Sequence, residues 1–156
     1  MMHAVRYGML FALAIFLWAM AEWLIGLHDR YIRYYEYLSY FFAIPSVYII
    51  YRGIYDGVDW SDGRVGFRKA FERGLGITLV VMLLCPLVWY VFCTFINPAF
   101  LSNMERFSVE NKGMQAALAA QRFSLPVYVL IASLSTTLVG IVISLVIAII
   151  AAQQKR

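Results

Sequence analysis

The chain has 156 residues, of which 63% are hydrophobic and 14% charged, whereas soluble domains carry about 25% charged residues. This fraction of charged side chains is too small to cover the surface that a soluble domain exposes to water. We therefore predict an integral membrane protein. The net charge of +4 comes from 13 basic and 9 acidic residues, the basic ones scattered between apolar runs. Because they form no basic stripe, they indicate membrane topology and argue against a nucleic-acid partner.

Four runs of apolar residues divide the chain. A hydrocarbon core takes about 20 helical residues to cross, and lipid offers no partner for free backbone groups, so spanning runs of this length are helices. They do not alternate in polarity as barrel strands do. We predict an all-α polytopic membrane protein, a bundle of four transmembrane helices forming a single domain over 1–156, with helices at about 8–27, 37–55, 66–96 and 126–152.

The second run, 37–55, has the weakest spanning signal. It is rich in aromatic residues and contains Pro45 and Arg52, so it spans only if the Arg52 side chain extends to the interface. The third run contains Pro86. Prolines inside helices are typical of simple kinks and, less commonly, of the broken helices that bind transporter substrates.

Lysine and arginine residues indicate which side of the membrane each loop faces. Eight of them lie in the N-terminus, the loop between the second and third runs, and the tail, against five in the other two loops. The positive-inside rule then predicts that both termini are cytoplasmic. A cleaved signal peptide ending at Ala19-Met20-Ala21 is the alternative for the first run, but the apolar run continues to Leu27 and favours retention.

Small residues form one stripe on the first helix and another on the fourth. Such faces let helix backbones approach closely in lipid, so we expect the two stripes to pack on each other, or each to pack on another helix of the bundle. The first stripe includes Gly8, Ala12, Ala19 and Gly26, and the second includes Ser133, Thr137, Gly140 and Ser144.

Glu22 is the one acid within the first run. An ionisable group at membrane depth is costly and is a functional candidate, here for a proton- or cation-linked site. Its position near the end of the run also allows a structural role at the outer interface, paired with Arg30 or Arg33. The sequence favours the structural role and leaves the functional one open.

The sequence contains no motif for catalysis, metal binding or cofactor binding. Cys85 and Cys93 lie too far apart on one helix for a disulfide, and His3 and His28 have no metal-ligand spacing. No serine has an evident histidine and aspartate partner, and no glycine-rich phosphate loop or HExxH motif occurs. We therefore predict no catalytic, cofactor-binding or metal-ligating residue, which disfavours an enzyme without excluding it.

Two features mark the predicted outer end. The tyrosine-rich segment 31–40 is typical of an aromatic belt at the membrane interface. Residues 97–125 are polar enough to be solvated, and a short surface helix is predicted there from the spacing of Met114, Ala117, Leu118 and Gln121.

Two short motifs resemble a known family. One is GRVGFRKAFERG at 63–74, and the other is NPAF at 97–100. With them the chain resembles, over nearly its whole length, the domain of unknown function 4199 family, small membrane proteins of Bacteroidetes. The resemblance implies a bacterial cytoplasmic (inner) membrane and supports the topology, but it implies no activity. The motif positions here are Gly63, Phe67, Ala70, Phe71, Gly74, Asn97 and Pro98, and Gly66 departs from the family, which often has Ser or Thr there.

Three functions remain open. The favoured hypothesis is a non-enzymatic scaffold or accessory subunit of an envelope process, whose partners are the lipid bilayer and either a second copy or a larger membrane protein. The alternative is a small transporter or permease component in which Glu22 titrates beside kinked helices. An intramembrane enzyme is the least favoured, because it needs an acid or histidine pair at one depth.

Overall fold

The computed structural model describes residues 2–56 and 65–153, and within them it is entirely helical. The seven α-helices are Met2–Leu24 (α1), Tyr35–Ser39 (α2), Ala43–Tyr55 (α3), Phe67–Val91 (α4), Phe100–Lys112 (α5), Ala116–Arg122 (α6) and Leu125–Gln153 (α7). Short 3₁₀ turns at Ile32–Tyr34 and Tyr40–Phe42 flank α2, and a π-helical turn, Phe92–Ile96, follows α4.

Three helices in the described part of the chain are long and apolar enough to cross a membrane. They are Met2–Leu24, Phe67–Ile96 and Leu125–Gln153. The predicted helix at 37–55 is instead divided among α2, a 3₁₀ turn and α3. Its longest α-helical part, α3, has 13 residues and is about 20 Å long, less than the roughly 30 Å of a hydrocarbon core.

Helix α4 packs against α1, α3 and α7. Its interfaces with α1 and α7 are narrow because small residues lie in them: Gly8 lies against Val80, and Gly140 lies against Thr78. A Cβ built at Gly140 would be 2.8 Å from Thr78 Cγ2, so a larger side chain there would force the two helices apart. The small-residue stripes of α1 and α7 thus each face α4 and lie inside the protein.

Most of the other stripe residues are buried in the same way. Ala12, Ala19, Ser133 and Ser144 are all at most 6% exposed, whereas Thr137 is half-buried. Gly26 is the exception, because α1 ends at Leu24 and Gly26 lies beyond it with a φ of +81°.

The end of α1 is closed by a Schellman motif. The N–H of Gly26 donates to the carbonyl of Trp23, and the N–H of Leu27 donates to that of Glu22. The left-handed φ that this motif needs explains the glycine, and Leu27 is buried beneath the turn. The chain therefore reverses at Gly26 and does not continue as a helix to Leu27.

The first family motif forms the start of α4, and its Gly63 lies outside the described residues. Ala70 is fully buried and Gly74 lies against Ser144 of α7, while Phe67 and Phe71 stack with ring centroids 5.8 Å apart. Gly66 precedes the helix without a side-chain cap. These contacts give the motif a packing role between α4 and α7.

A short helix is present in the predicted region as α6, Ala116–Arg122, and Met114 precedes it. Leu118 is 54% exposed, whereas Ala119 and Phe123 are buried against the aromatic cluster beneath. The sequence analysis missed α5, whose buried stripe is Phe100, Met104 and Ser108.

Candidate functional site

Glu22 lies in the last turn of α1 and is 4% exposed. Its Oε1 accepts a hydrogen bond from Trp18 Nε1 at 2.7 Å, one helical turn earlier, and another from Ser39 Oγ at 2.6 Å. Ser39 ends α2, so this bond ties the Tyr35–Ser39 helix to α1. The carboxylate thus lies buried at a junction of two elements.

His28 lies on the far side of the same carboxylate, because the turn at Gly26 brings it back over the helix end. Its Nε2 is 3.5 Å from Glu22 Oε2, an ion-pair distance but longer than a hydrogen bond. The ring is 1% exposed and contacts the rings of Tyr35, Phe92 and Phe100, with centroids 4.4 to 5.4 Å away.

Asn97 fixes the orientation and the tautomer of His28. Its Nδ2 lies 3.2 Å from His28 Nδ1. An amide nitrogen is only a donor, so with the Asn97 amide as oriented in the structure Nδ1 accepts and the ring proton is on Nε2. The described contacts of the carboxylate are thus the hydrogen bonds from Trp18 and Ser39 and, beyond hydrogen-bond distance, His28 Nε2.

The helix that follows Asn97 holds this arrangement from outside. Asn103 of α5 donates from Nδ2 to the backbone carbonyl of His28 at 3.0 Å, and Lys112 at the end of α5 pairs with Glu36 of α2 at 2.5 Å. The second contact ties α2 to α5, just as the Ser39 hydrogen bond ties α2 to α1. The segment that carries His28 and the short helix α2 are therefore both held in place over the end of α1.

A cavity of about 420 Å³ adjoins Glu22. It is bounded by α1 at the back, by α2 and α3 on one side and by α7 on the other. Its end near Glu22 carries polar groups, including Glu36 and Ser39, and its deeper part is mainly apolar, including Phe11, Ile15, Phe42, Ala132 and Val139. This volume falls at the lower end of ligand-binding pockets, roughly 300 to 1,000 Å³.

The cavity opens sideways between α3 and α7. Three of its lining residues, Ala43 on α3 and Ser135 and Val139 on α7, are exposed on the outside of the helices. Val139 lies fourteen residues into α7, about 21 Å from the start of that helix, so the opening reaches well down the spanning segment. The opening therefore lies on a face that a membrane-spanning α7 would present to lipid.

The cavity closes toward the other end of the molecule. Beyond Phe11, the space among Ile50, Ile77 and Val81 holds no room for a water molecule, and these three residues are at most 2% exposed. Among the described residues, the cavity therefore does not continue past this packing.

The structure brings together three residues that the sequence analysis had treated separately. Glu22 was expected to stand alone or pair with Arg30 or Arg33, but its described ion-pair partner is His28, and neither arginine contacts it. Asn97 was singled out only as a family-motif position, and Pro98 beside it is exposed. The missed signal was Gly26, since a glycine directly after a helix predicts a reversal that carries the next polar residue back over the helix end.

The remaining family-motif and stripe residues lie away from this site, at the α4 interfaces with α1 and α7. Among residues 2–56 and 65–153, no group of three or more His, Cys, Asp or Glu side chains is placed to hold a metal ion.

Comparison with known proteins identifies the family. The model of the family described as "Protein of unknown function (DUF4199)" matches residues 6–152, nearly the whole chain, so the protein belongs to that family. No curated protein and no solved structure matches it. The family description carries no activity, and the case for a function therefore comes from the geometry around Glu22.

Proposed function

We propose that this DUF4199 protein is a membrane-embedded binding protein that holds an amphipathic molecule in the cavity beside Glu22. The observation that carries the proposal is the distribution of lining groups. The two carboxyl groups, Glu22 and Glu36, lie at one end, and hydrocarbon and aromatic side chains dominate the deeper part toward Phe11, where the polar lining groups are the hydroxyls of Ser46, Ser135 and Thr136. A molecule with a polar head and an apolar body satisfies both ends, and the sideways opening admits it from the bilayer.

The closed inner end favours binding over transport. Transport through the protein needs a path to the opposite side, whereas the cavity stops at tightly packed Ile50 and Ile77. The permease hypothesis would require α3 and α4 to separate there. The accessory-subunit hypothesis stays a prediction, although the stripes that suggested it lie against α4, so a partner would contact other surfaces.

The enzyme hypothesis required an acid or histidine pair at one depth, and Glu22 beside His28 is the arrangement that comes nearest to it among the described residues. His28, however, is 1% exposed and does not line the cavity. The pair therefore presents one group to a bound molecule, not two. We assign His28 the role of holding the carboxylate in place, which favours binding without chemical change.

Our proposal includes four membrane crossings with both termini in the cytoplasm of a bacterial inner membrane. Three crossings would leave the termini on opposite sides, so the segment 35–55 decides the topology. Two contacts support a crossing: Ser39 bonds to Glu22 near one end of α1, and Gly53 lies against Tyr7 near the other end. The segment is thus long enough to run the length of α1.

Binding can be tested with a neutral brominated amphiphile, 11-bromoundecanol, added to the protein in non-ionic detergent. Bromine quenches tryptophan fluorescence on contact, and both Trp18 and Trp89 line the cavity. We expect quenching that saturates with concentration. The variant Ala132→Phe, which fills the cavity from α7, is expected to remove the saturable component.

A matched control is Leu134→Phe, on the same helix but 52% exposed and outside the cavity. It adds the same ring to the lipid-facing surface and is expected to keep saturable quenching. If quenching in the wild type increases linearly with the probe, as simple partitioning into the micelle does, the proposed binding function is wrong.

A further inference from the structure

We infer that the bound molecule carries a protonated primary amine that pairs with the Glu22 carboxylate. The inference rests on the proposed function, since it names the chemical class of the molecule held in the cavity. It follows from an imbalance of charge at the polar end of that cavity.

This polar end carries negative charge without a matching cation. Glu22 and Glu36 both line it, whereas its described lining residues include no lysine or arginine. Glu36 is paired on its outer side with Lys112. Glu22 has only His28 within ion-pair distance, among the described residues.

His28 does not place a positive charge inside the cavity, because its ring is 1% exposed and does not line it. The Glu22 carboxylate accepts hydrogen bonds from Trp18 and Ser39, and His28 Nε2 lies 3.5 Å from its second oxygen. A carboxylate that borders a cavity without a basic side chain favours a cation there, because the cation supplies the missing counter-charge.

The geometry leaves room for one more donor. Oε1 already accepts two hydrogen bonds, whereas Oε2 faces only His28, and a carboxylate oxygen offers two lone-pair sites. A primary ammonium can donate to that free site. The rings of Trp18 and Tyr35, which line the same end, add an attraction for cations. An anionic head would instead meet two carboxylates.

The test compares three bromoundecyl probes that differ only in the head: 11-bromoundecylamine, 11-bromoundecanol and 11-bromoundecyl sulfate. At neutral pH the wild type should bind the amine at least about tenfold tighter than the alcohol, the usual worth of a hydrogen bond to a charged group, and the sulfate weakest. This series needs no variant, so a folding defect cannot obscure it.

Two variants then test whether Glu22 causes the preference for the amine probe. Glu22→Gln should remove the preference, so that the amine and the alcohol bind with equal affinity. Glu110→Gln, which removes one negative charge from the exposed face of α5, should keep the full preference.

The outcomes separate the two proposals. Saturable binding of all three probes with equal affinity, or an amine preference that survives Glu22→Gln, would overturn the amine assignment and leave the binding function standing. If none of the three probes gave saturable quenching in the wild type, the binding function itself would be overturned.

Discussion

Nε2 of His28 lies 3.5 Å from Oε2 of Glu22 even though α1 ends between the two residues. The contact exists because the left-handed turn at Gly26 folds the chain back onto the helix that it has just left. Local backbone conformation therefore determines whether the buried carboxylate has a histidine beside it.

Replacing Gly26 with alanine should destabilise the protein. A φ of +81° costs an L-residue about 1 to 2 kcal/mol, and a Cβ there would also approach Asp29. We expect a lower midpoint of thermal unfolding, measured by tryptophan fluorescence in detergent. Gly66→Ala is the control, because Gly66 has an ordinary φ of −60° and a Cβ added to it would have no neighbour within 4 Å. Equal stability of the two variants would contradict the role given to this turn.

Replacing His28 with alanine should be among the more damaging single changes at this end of the molecule. It removes a fully buried ring from among three aromatic neighbours and leaves Asn97 without its partner, which should cost about 2 to 4 kcal/mol of unfolding free energy. Chemical denaturation in detergent measures this difference. His3→Ala removes a half-exposed histidine that lies 3.5 Å from Asp56 and should cost less than about 1 kcal/mol. A comparable loss in both variants would show that His28 has no special role in holding the site.

Gly140→Ala should weaken the contact between α4 and α7. The added methyl would lie 2.8 Å from Thr78 Cγ2, and overpacking of this kind costs roughly 1 to 3 kcal/mol. Gly76→Ala is the matched control, since it makes the same change inside a spanning helix and approaches only Ala4, at 3.3 Å. Unfolding midpoints should fall for the first variant and stay close to wild type for the second. A reversed order would mean that the α4–α7 interface is looser than the structure shows.

Membrane topology can be tested with one cysteine at a time in a background lacking Cys85 and Cys93. Lys69 lies at the start of α4, Ser102 lies in α5 beyond its other end, and both are exposed. If the segment 35–55 crosses the membrane and the N-terminus is cytoplasmic, a membrane-impermeant maleimide should label Ser102→Cys in intact cells and label Lys69→Cys only after the cells are opened. The reverse pattern would contradict the combination of four crossings with a cytoplasmic N-terminus.

Hydrophobicity alone was enough to locate three spanning helices, because each is long, apolar and separated from the next by charged residues. The same signal did not show how the run at 37–55 is divided. There the chain adopts 3₁₀ geometry at Tyr40–Phe42, and the Ser39 side chain donates a hydrogen bond to Glu22, which lies on another helix. Contacts between distant residues of this kind leave no trace in the local pattern.

The candidate site was only partly predictable for the same reason. Glu22 stands out in any apolar run, since an ionisable residue at that depth is rare. Its partners are separated from it in the sequence: Asn97 reaches His28 across 69 positions. Only the folded arrangement of α1, α2 and the end of α4 brings these groups to one place.

The hydrogen bond from Asn97 N to the Phe92 carbonyl spans five residues, so this turn holds one residue more than an α-helical turn. Deleting that residue would rotate all that follows by about 100° around the helix axis and carry the Asn97 amide away from the imidazole. A one-residue gap just before this position in an alignment of relatives would therefore mark a separate subgroup. In those members, another group would have to contact the histidine ring in place of the Asn97 amide.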